Sequence, residues 1–186
     1  MKRSVIQACI PVVAGGLAIA LTVALSTSAR ADGPAIPGLG GPTSLSVGGF
    51  WPSSGDAKDS GGSTQIDANL RYHIPVKDNP LTVPARTFLN VGVEAGAKDG
   101  NHNTIIPITV GEELGLDNKS PLASGNGYVG AGVGAYIMNQ SGLSTATRLG
   151  GFVNAGYNFT SQVFAEADYQ WVNHGNGALV NVGFRF

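Results

Sequence analysis

The chain has 186 residues, of which 42% are hydrophobic, 12% are charged and 28 are glycine, and its formal net charge is −1. This length favours a single domain, and so few charges with so many glycines argue against a soluble α-helical protein. The glycines follow no period of three, which excludes collagen, and no basic cluster is present that would bind nucleic acid.

Residues 1–31 have the features of a secretory signal peptide. The basic start Met1-Lys2-Arg3 precedes an apolar run from about Val5 to Leu25, and Ala29-Arg30-Ala31 has the small-x-small pattern of a cleavage site. The apolar run is also about long enough for an uncleaved membrane anchor. Cleavage after Ala31 leaves 155 residues with a formal charge of −4 and no cysteine, since Cys9 lies in the removed part.

Residues 32–42 are rich in glycine and proline and are predicted to form a flexible lead-in. From residue 43 to residue 186 the hydrophobicity alternates with a period of two, in segments separated by turn-forming sequences. The predicted strands are Thr43–Trp51, Gln65–Ile74, Thr87–Ala97, Thr104–Leu114, Gly127–Met138, Thr145–Phe159, Val163–Trp171 and Ala178–Phe186. The alternation therefore predicts one all-β domain over residues 43–186.

The alternation gives each strand an apolar face and a polar face. A sheet that covers an aqueous core would alternate in the same way, so the composition of the polar faces distinguishes the two cases. These faces carry Gly, Asn, Gln and charges of both signs, and lysine is confined to the connections (Lys58, Lys77, Lys98 and Lys119). Glycines between large residues, as between Tyr128 and Tyr136, suit the crowded interior of a closed barrel.

Aromatic residues on the apolar faces fall at the strand ends. If the strands alternate up and down from an inner amino terminus, Trp51 and Trp171 lie at the outer rim. The inner rim then carries Tyr72, Tyr157, Phe159, Phe184 and Phe186. Two aromatic girdles on a closed, even-numbered sheet are typical of a transmembrane β-barrel, with the apolar faces towards lipid.

Two segments resemble a known family. Val180-Asn181-Val182-Gly183-Phe184-Arg185-Phe186 looks like the terminal strand of bacterial outer-membrane barrels, and Gly156–Tyr169 resembles the last periplasmic hairpin of small eight-stranded barrels of the OmpA/OmpX/OmpW type. The resemblance implies an antiparallel up-and-down barrel in the outer membrane of a Gram-negative bacterium, in contact with outer-membrane lipid. It also implies insertion by the barrel-assembly machinery, with Phe186 as the C-terminal assembly signal.

Two features depart from that family. The predicted inner connections Pro75–Arg86 and Gly115–Asn126 are about as long as the outer loop Pro52–Thr64, whereas inner turns are usually short. Pro107 removes a ladder donor from the fourth strand, which predicts a bulge or a break there.

The polar faces predict a network of charged side chains in the barrel lumen. Its members are Asp67, Arg71, Glu94, Arg148, Glu166, Asp168 and Arg185, with His73 and Glu113 on the same faces. Hairpin register places Glu166 opposite Gly156 and Gly183, diagonal to Arg185, and so predicts a Glu166–Arg185 ion pair. An eight-stranded barrel is just wide enough for side chains to fill, which favours a polar plug over a narrow water-filled channel.

No catalytic or metal site follows from the sequence. His174 invites comparison with outer-membrane lipid A deacylases, which resemble this chain in size and barrel type. Those enzymes carry His-x-Ser-Asn, whereas the segment here is His174-Gly175-Asn176-Gly177. His102 lies in a turn segment, and the three histidines lack the spacing of metal ligands. We therefore predict no cofactor and no enzymatic activity.

The sequence predicts an outer-membrane barrel with a structural or surface-interaction role, a lumen largely filled by polar side chains, and an extracellular partner that no motif identifies. Three alternatives remain open. They are a narrow porin for small solutes, an outer-membrane lipid-modifying enzyme of the lipid A deacylase type, and a secreted soluble β-domain that binds a ligand.

Overall fold

A computed structural model describes residues 43–74 and 85–186. The predicted signal peptide (1–31) and lead-in (32–42) lie outside the described residues, as do residues 75–84 between the second and third strands. Within the described ranges, no helix combines the length and the apolar character needed to cross a membrane.

The domain is a closed antiparallel barrel of eight strands in sequence order, which confirms the predicted fold. The strands are β1 (Thr43–Pro52), β2 (Gln65–His73), β3 (Ala85–Lys98), β4 (Asn101–Gly115), β5 (Asn126–Gln140), β6 (Ala146–Asn158), β7 (Val163–Val172) and β8 (Gly177–Arg185). Each strand pairs with the next, and β8 returns to pair with β1 along nine residue pairs from Ser44↔Arg185 to Pro52↔Gly177. The barrel therefore leaves no unpaired edge, as a sheet in lipid requires.

The inward and outward faces are those that the alternation predicts. Outward residues are apolar and exposed, for example Val133 at 63% and Leu149 at 85%, whereas Glu94 and Glu113 face inward and are fully buried. Apolar side chains outside and charged side chains inside reverse the arrangement of a soluble protein. This inversion is expected where the solvent is hydrocarbon.

Two details differ from the expectations. Pro107 produces neither a bulge nor a break: β4 keeps one register with β3 on both sides of it, from Val91↔Ile108 to Glu94↔Ile105, and only the pairs between are missing. The two missing pairs are Gly92↔Pro107 and its neighbour Val93↔Ile106, so the loss is local to the proline, which has no N–H to donate. Lys98 is the last residue of β3 and not part of a connection, and it is exposed at the strand end.

A short helix covers one end of the barrel. Helix α1 (Gly55–Gly61) lies in the β1–β2 connection and contacts β3, β4 and β5 as well as β1, so the connection crosses the barrel mouth. Ala57 and Gly61 of this helix are buried. The odd-numbered strands end here, and if the amino terminus is on the inner side this is the outer end of the barrel, as it is named below.

An apolar cluster fills the lumen towards the same end. It consists of Phe50, Ile105, Tyr136, Met138, Val172 and Leu179, all of them at most 5% exposed. Between this cluster and helix α1 runs a chain of side-chain amides. Gln140 donates to Asn103 at 2.8 Å, Asn103 donates to Gln65 at 2.6 Å, and Gln65 donates to the carbonyl of Ala57 at 3.0 Å. The outer end of the lumen is therefore closed by an apolar layer and a hydrogen-bonded cap.

Candidate functional site

The charged part of the lumen is organised around Arg71, which projects inward from β2. Its guanidinium donates two hydrogen bonds to Glu166 on β7, at 2.7 and 2.6 Å, and a third to Glu113 on β4 at 2.5 Å. It also lies over the ring of Phe88, 4.3 Å from the centroid. Arg71 thus connects strands on different sides of the barrel through a bidentate pair and a cation–π contact.

The two carboxylates that bind Arg71 are held by further donors. Tyr128 donates to Glu166 at 2.9 Å, and Asn154 donates to Glu166 at 2.7 Å and to Glu113 at 3.3 Å. His73 Nε2 lies 3.0 Å from Glu113 Oε2. These donors satisfy the carboxylates in a region without bulk water, where a half-satisfied network would be costly.

Glycines make room for this network. A Cβ on Gly156 would lie 2.2 Å from the Tyr128 ring, and a Cβ on Gly183 would lie 2.2 Å from the Phe164 ring. Both glycines face the lumen opposite those rings, on the neighbouring strands. The glycine-rich polar faces therefore allow large rings to lie flat against the barrel wall.

The predicted Glu166–Arg185 pair is wrong. Glu166 does pair with Gly156 on β6, but on β8 it lies opposite Asn181 and not Gly183, because the β7–β8 register differs by two residues from the predicted one. Arg185 instead donates to Asn158 at 2.7 Å and lies 4.4 Å from the Phe164 centroid. Arg71 takes the place that the sequence assigned to Arg185.

The other predicted members of the charged network do not bind Arg71 and have different neighbours in the structure. Asp67 accepts from Asn69 at 2.6 Å, Glu94 accepts from Gln170 at 2.8 Å, and Asp168 lines the same small cavity as Glu94. Arg148 does not join the network. It is exposed near the outer end of β6, at a cleft of about 70 Å³ that His174 also lines.

The predicted girdle residues lie on the outward face at the two barrel ends. Trp51 and Trp171 are 43% and 49% exposed near the outer ends of β1 and β7, and the Trp171 ring packs edge-on against Tyr169. At the opposite end, Tyr157 and Phe159 are exposed with ring centroids 5.4 Å apart. Tyr72 and Phe184 lie at the same end, at the inner ends of β2 and β8.

The last residue closes the barrel seam. Phe186 is 39% exposed, and its backbone donates to Thr43 at 2.9 Å while Thr43 donates back at 3.2 Å.

Little free space remains among the charged residues of the lumen. The cavity among the charged residues has a volume of about 30 Å³ and is bordered by Arg71, Glu94, Tyr136 and Asp168. That volume holds about one water molecule. The space is too small for a solute larger than water.

A polar cluster at the outer rim was not identified from the sequence. Ser141 Oγ lies 2.9 Å from His102 Nδ1, and His102 Nε2 lies 3.3 Å from Asn139 Oδ1. One neutral histidine tautomer satisfies both contacts, with Nδ1 accepting from the hydroxyl and Nε2 donating to the amide. No sequence pattern indicates this cluster, because His102 lies more than 30 positions before Asn139 and Ser141. Only the β4–β5 pairing brings them together. Across residues 43–74 and 85–186, no three His, Cys, Asp or Glu side chains are grouped as metal ligands.

Comparison with solved structures shows the fold that the chain shares. Neisserial surface protein A matches with a TM-score of 0.52 and 14% identity, over 77% of this chain and 94% of that chain. Ail of Yersinia pestis in a phospholipid bilayer nanodisc matches with a TM-score of 0.50 and 14% identity, over 78% and 99%. The N-terminal β-barrel domain of Pseudomonas aeruginosa OprF has a TM-score of 0.48 and 18% identity, over 78% and 98%. No protein-family profile and no curated protein sequence matches the chain. The predicted resemblance to small eight-stranded barrels is confirmed at the level of the fold.

Proposed function

We propose that this chain, which has the fold of small eight-stranded outer-membrane barrels, is an exported outer-membrane protein with a structural or surface-interaction role and a lumen that does not conduct. The filled lumen carries this proposal. Its charged residues leave a cavity of about 30 Å³, and the apolar cluster and helix α1 close the outer end. An eight-stranded barrel packed in this way has no continuous aqueous path.

The outward face supports placement in a bilayer. Large apolar side chains are exposed on every part of the wall, among them Ile66 at 62%, Leu70 at 51%, Val133 at 63% and Val182 at 57%. A monomer in water rarely exposes such a continuous apolar surface. The secreted soluble alternative would require a partner to cover nearly the whole barrel wall.

Conductance in planar lipid bilayers tests the closed lumen. The refolded full-length protein is expected to give no large, steady single-channel current, and heat-denatured protein added in the same detergent is the control. Steady openings of reproducible size would refute the closed lumen and favour the narrow porin.

Gel migration of the membrane fraction tests the location. A closed barrel resists detergent until it is boiled, so unheated and boiled samples from an outer-membrane fraction should migrate differently. A protein recovered in the soluble fraction without such a shift would contradict the membrane assignment.

Assembly is the remaining part of the proposal. We infer that the barrel-assembly machinery recognises the C-terminal strand through Phe186, which lies on the outward face and is paired with Thr43. Phe186→Ser should reduce the amount of protein that reaches the outer membrane, while the same protein refolded in detergent should still form the barrel. Equal yields in the membrane would contradict this role.

A second candidate function is hydrolysis of an ester in an outer-leaflet lipid, and the cluster of Ser141, His102 and Asn139 favours it. Strand alternation places this cluster on the outward face at the outer rim, because Asn103 and Gln140 beside it face the lumen. A serine hydrogen-bonded to a histidine that a third side chain orients is the arrangement of an activated nucleophile.

The step would proceed as in other serine hydrolases. His102 Nδ1 takes the hydroxyl proton as Ser141 Oγ attacks the ester carbonyl carbon, and the alcohol leaves with that proton; water then releases the fatty acid from the serine. Mass spectrometry of the lipids should show loss of an acyl chain with the wild type and with Ser144→Ala, but not with Ser141→Ala. Identical lipid profiles in all three strains would eliminate the enzymatic candidate.

A further inference from the structure

Only one Asp, Glu, Lys or Arg side chain lies on the outward face of the described strands. It is Glu112 on β4, which is exposed. Its neighbours on the same face of the strand, Val110 and Leu114, are 42% and 38% exposed. The residues opposite it on the adjoining strands are Thr87 on β3 and Ala131 on β5. The carboxylate therefore projects from a wall that is otherwise uncharged.

Glu112 lies close to the inner end of the barrel. β4 runs from Asn101 at the outer end to Gly115 at the inner end, so Glu112 is three residues from that end. A strand advances about 3.3 Å per residue, and its tilt shortens the distance along the barrel axis, so the carboxylate lies within about 10 Å of the end. The exposed rings of Tyr157 and Phe159 mark the same end, where hydrocarbon gives way to lipid headgroups.

No charge of the described barrel compensates this carboxylate. The Thr87 hydroxyl donates to Glu112 Oε1 at 3.4 Å, which is a long contact with a neutral group, and Oε2 accepts from no described side chain. Across the described residues, no ion pair includes Glu112. An ionisable side chain in contact with lipid is costly unless a partner compensates it, and it therefore marks a functional position whose partner has to be identified.

We propose that Glu112 binds the primary ammonium group of a phosphatidylethanolamine headgroup in the inner leaflet. The inference rests on the proposed bilayer location, which places lipid against this face of β4. An ammonium group supplies a positive charge and three N–H donors, so it can make a charge-assisted hydrogen bond to the free Oε2 while Thr87 holds Oε1. The trimethylated headgroup of phosphatidylcholine carries the same charge but has no N–H to donate. The site therefore discriminates between two zwitterionic lipids of equal net charge.

Thermal unfolding in vesicles of two compositions tests this proposal. The full-length barrel is refolded into phosphatidylcholine with phosphatidylglycerol, or into vesicles in which phosphatidylethanolamine replaces half of the phosphatidylcholine. The midpoint is read from the folded and unfolded bands of unheated gels. The exchange of lipid also changes bilayer packing, so the response of the wild type is compared with that of Glu112→Gln. The wild-type midpoint should rise by about 2–4 °C more than the midpoint of Glu112→Gln, the effect of one hydrogen bond to a charged group.

Asp59→Asn is the matched control, since Asp59 is an exposed acid on helix α1 at the outer end of the barrel and should respond as the wild type does. Equal responses of the wild type and Glu112→Gln would overturn the proposal, and a gel shift retained by both would show that the membrane location itself still holds. A response that Asp59→Asn loses as completely as Glu112→Gln would also overturn it, because the headgroup would then act on the charge of the whole barrel.

Discussion

Replacing Arg71 by methionine removes the one cation that binds both Glu113 and Glu166. The side chain makes three charge-assisted hydrogen bonds of 2.5–2.7 Å to carboxylates that are at most 3% exposed. Breaking a buried pair by removing one partner typically costs about 3–5 kcal/mol, because the remaining charge stays buried. Every 1.4 kcal/mol is a factor of ten, so the equilibrium constant for unfolding should rise by about 10²–10⁴.

Urea titration of the refolded barrel, read from unheated gels, measures this change. Arg148→Met is the matched control, because Arg148 is exposed and its loss should stay within about 0.5 kcal/mol. Adding Glu113→Gln and Glu166→Gln to Arg71→Met should recover much of the loss, since the buried charges are then gone. An Arg71→Met barrel as stable as Arg148→Met would refute the view that the lumen network stabilises the barrel.

Three further substitutions test other parts of the structure by the same titration. Val133→Arg places a charge on the lipid face of β5, where Val133 is 63% exposed, and should cost about 2–4 kcal/mol in a bilayer; an unchanged midpoint would contradict lipid contact. Gly156→Ala should cost about 1–3 kcal/mol, since the new Cβ would lie 2.2 Å from Tyr128 and displace its hydroxyl from Glu166; Gly151→Ala is the control on the same strand, because a Cβ there would meet no ring and no atom closer than 3.3 Å. Ile105→Ala should cost about 2–5 kcal/mol through a cavity in the apolar cluster, whereas a cost below 1 kcal/mol would mean that this layer is loosely packed.

The strands and their faces could be predicted because a period of two determines which residues share a face. Ile66, Leu70 and their neighbours were separated from Asp67 and Arg71 by parity alone. A register error of two residues leaves every residue on the same face of its strand. The predicted faces are therefore right, although the predicted β7–β8 register at Glu166 is wrong. The alternation therefore identifies which residues face the lumen, but it does not determine how far along the barrel axis each of them lies.

The partners across the lumen could not be predicted because they lie on strands that are not neighbours. Arg71 and Glu166 are 95 positions apart, on β2 and β7, and only the barrel's tilt and closure bring them together. The helix over the mouth was missed for a different reason. Gly55–Gly61 has the composition of a turn, and its helical form depends on packing over the lumen as much as on local preference.

The seam between β1 and β8 also constrains how this barrel can fold. Thr43 pairs with Phe186, so the ladder between β1 and β8 joins the two ends of the described domain. Hairpins such as β3–β4 close locally, but the seam carries the full loop-closure entropy of the chain between its ends. Every intermediate that lacks it exposes two unpaired strand edges, which are open to pairing with another chain. Closure of this seam therefore removes the two edges through which the chain could aggregate, and it commits the chain to the folded monomer.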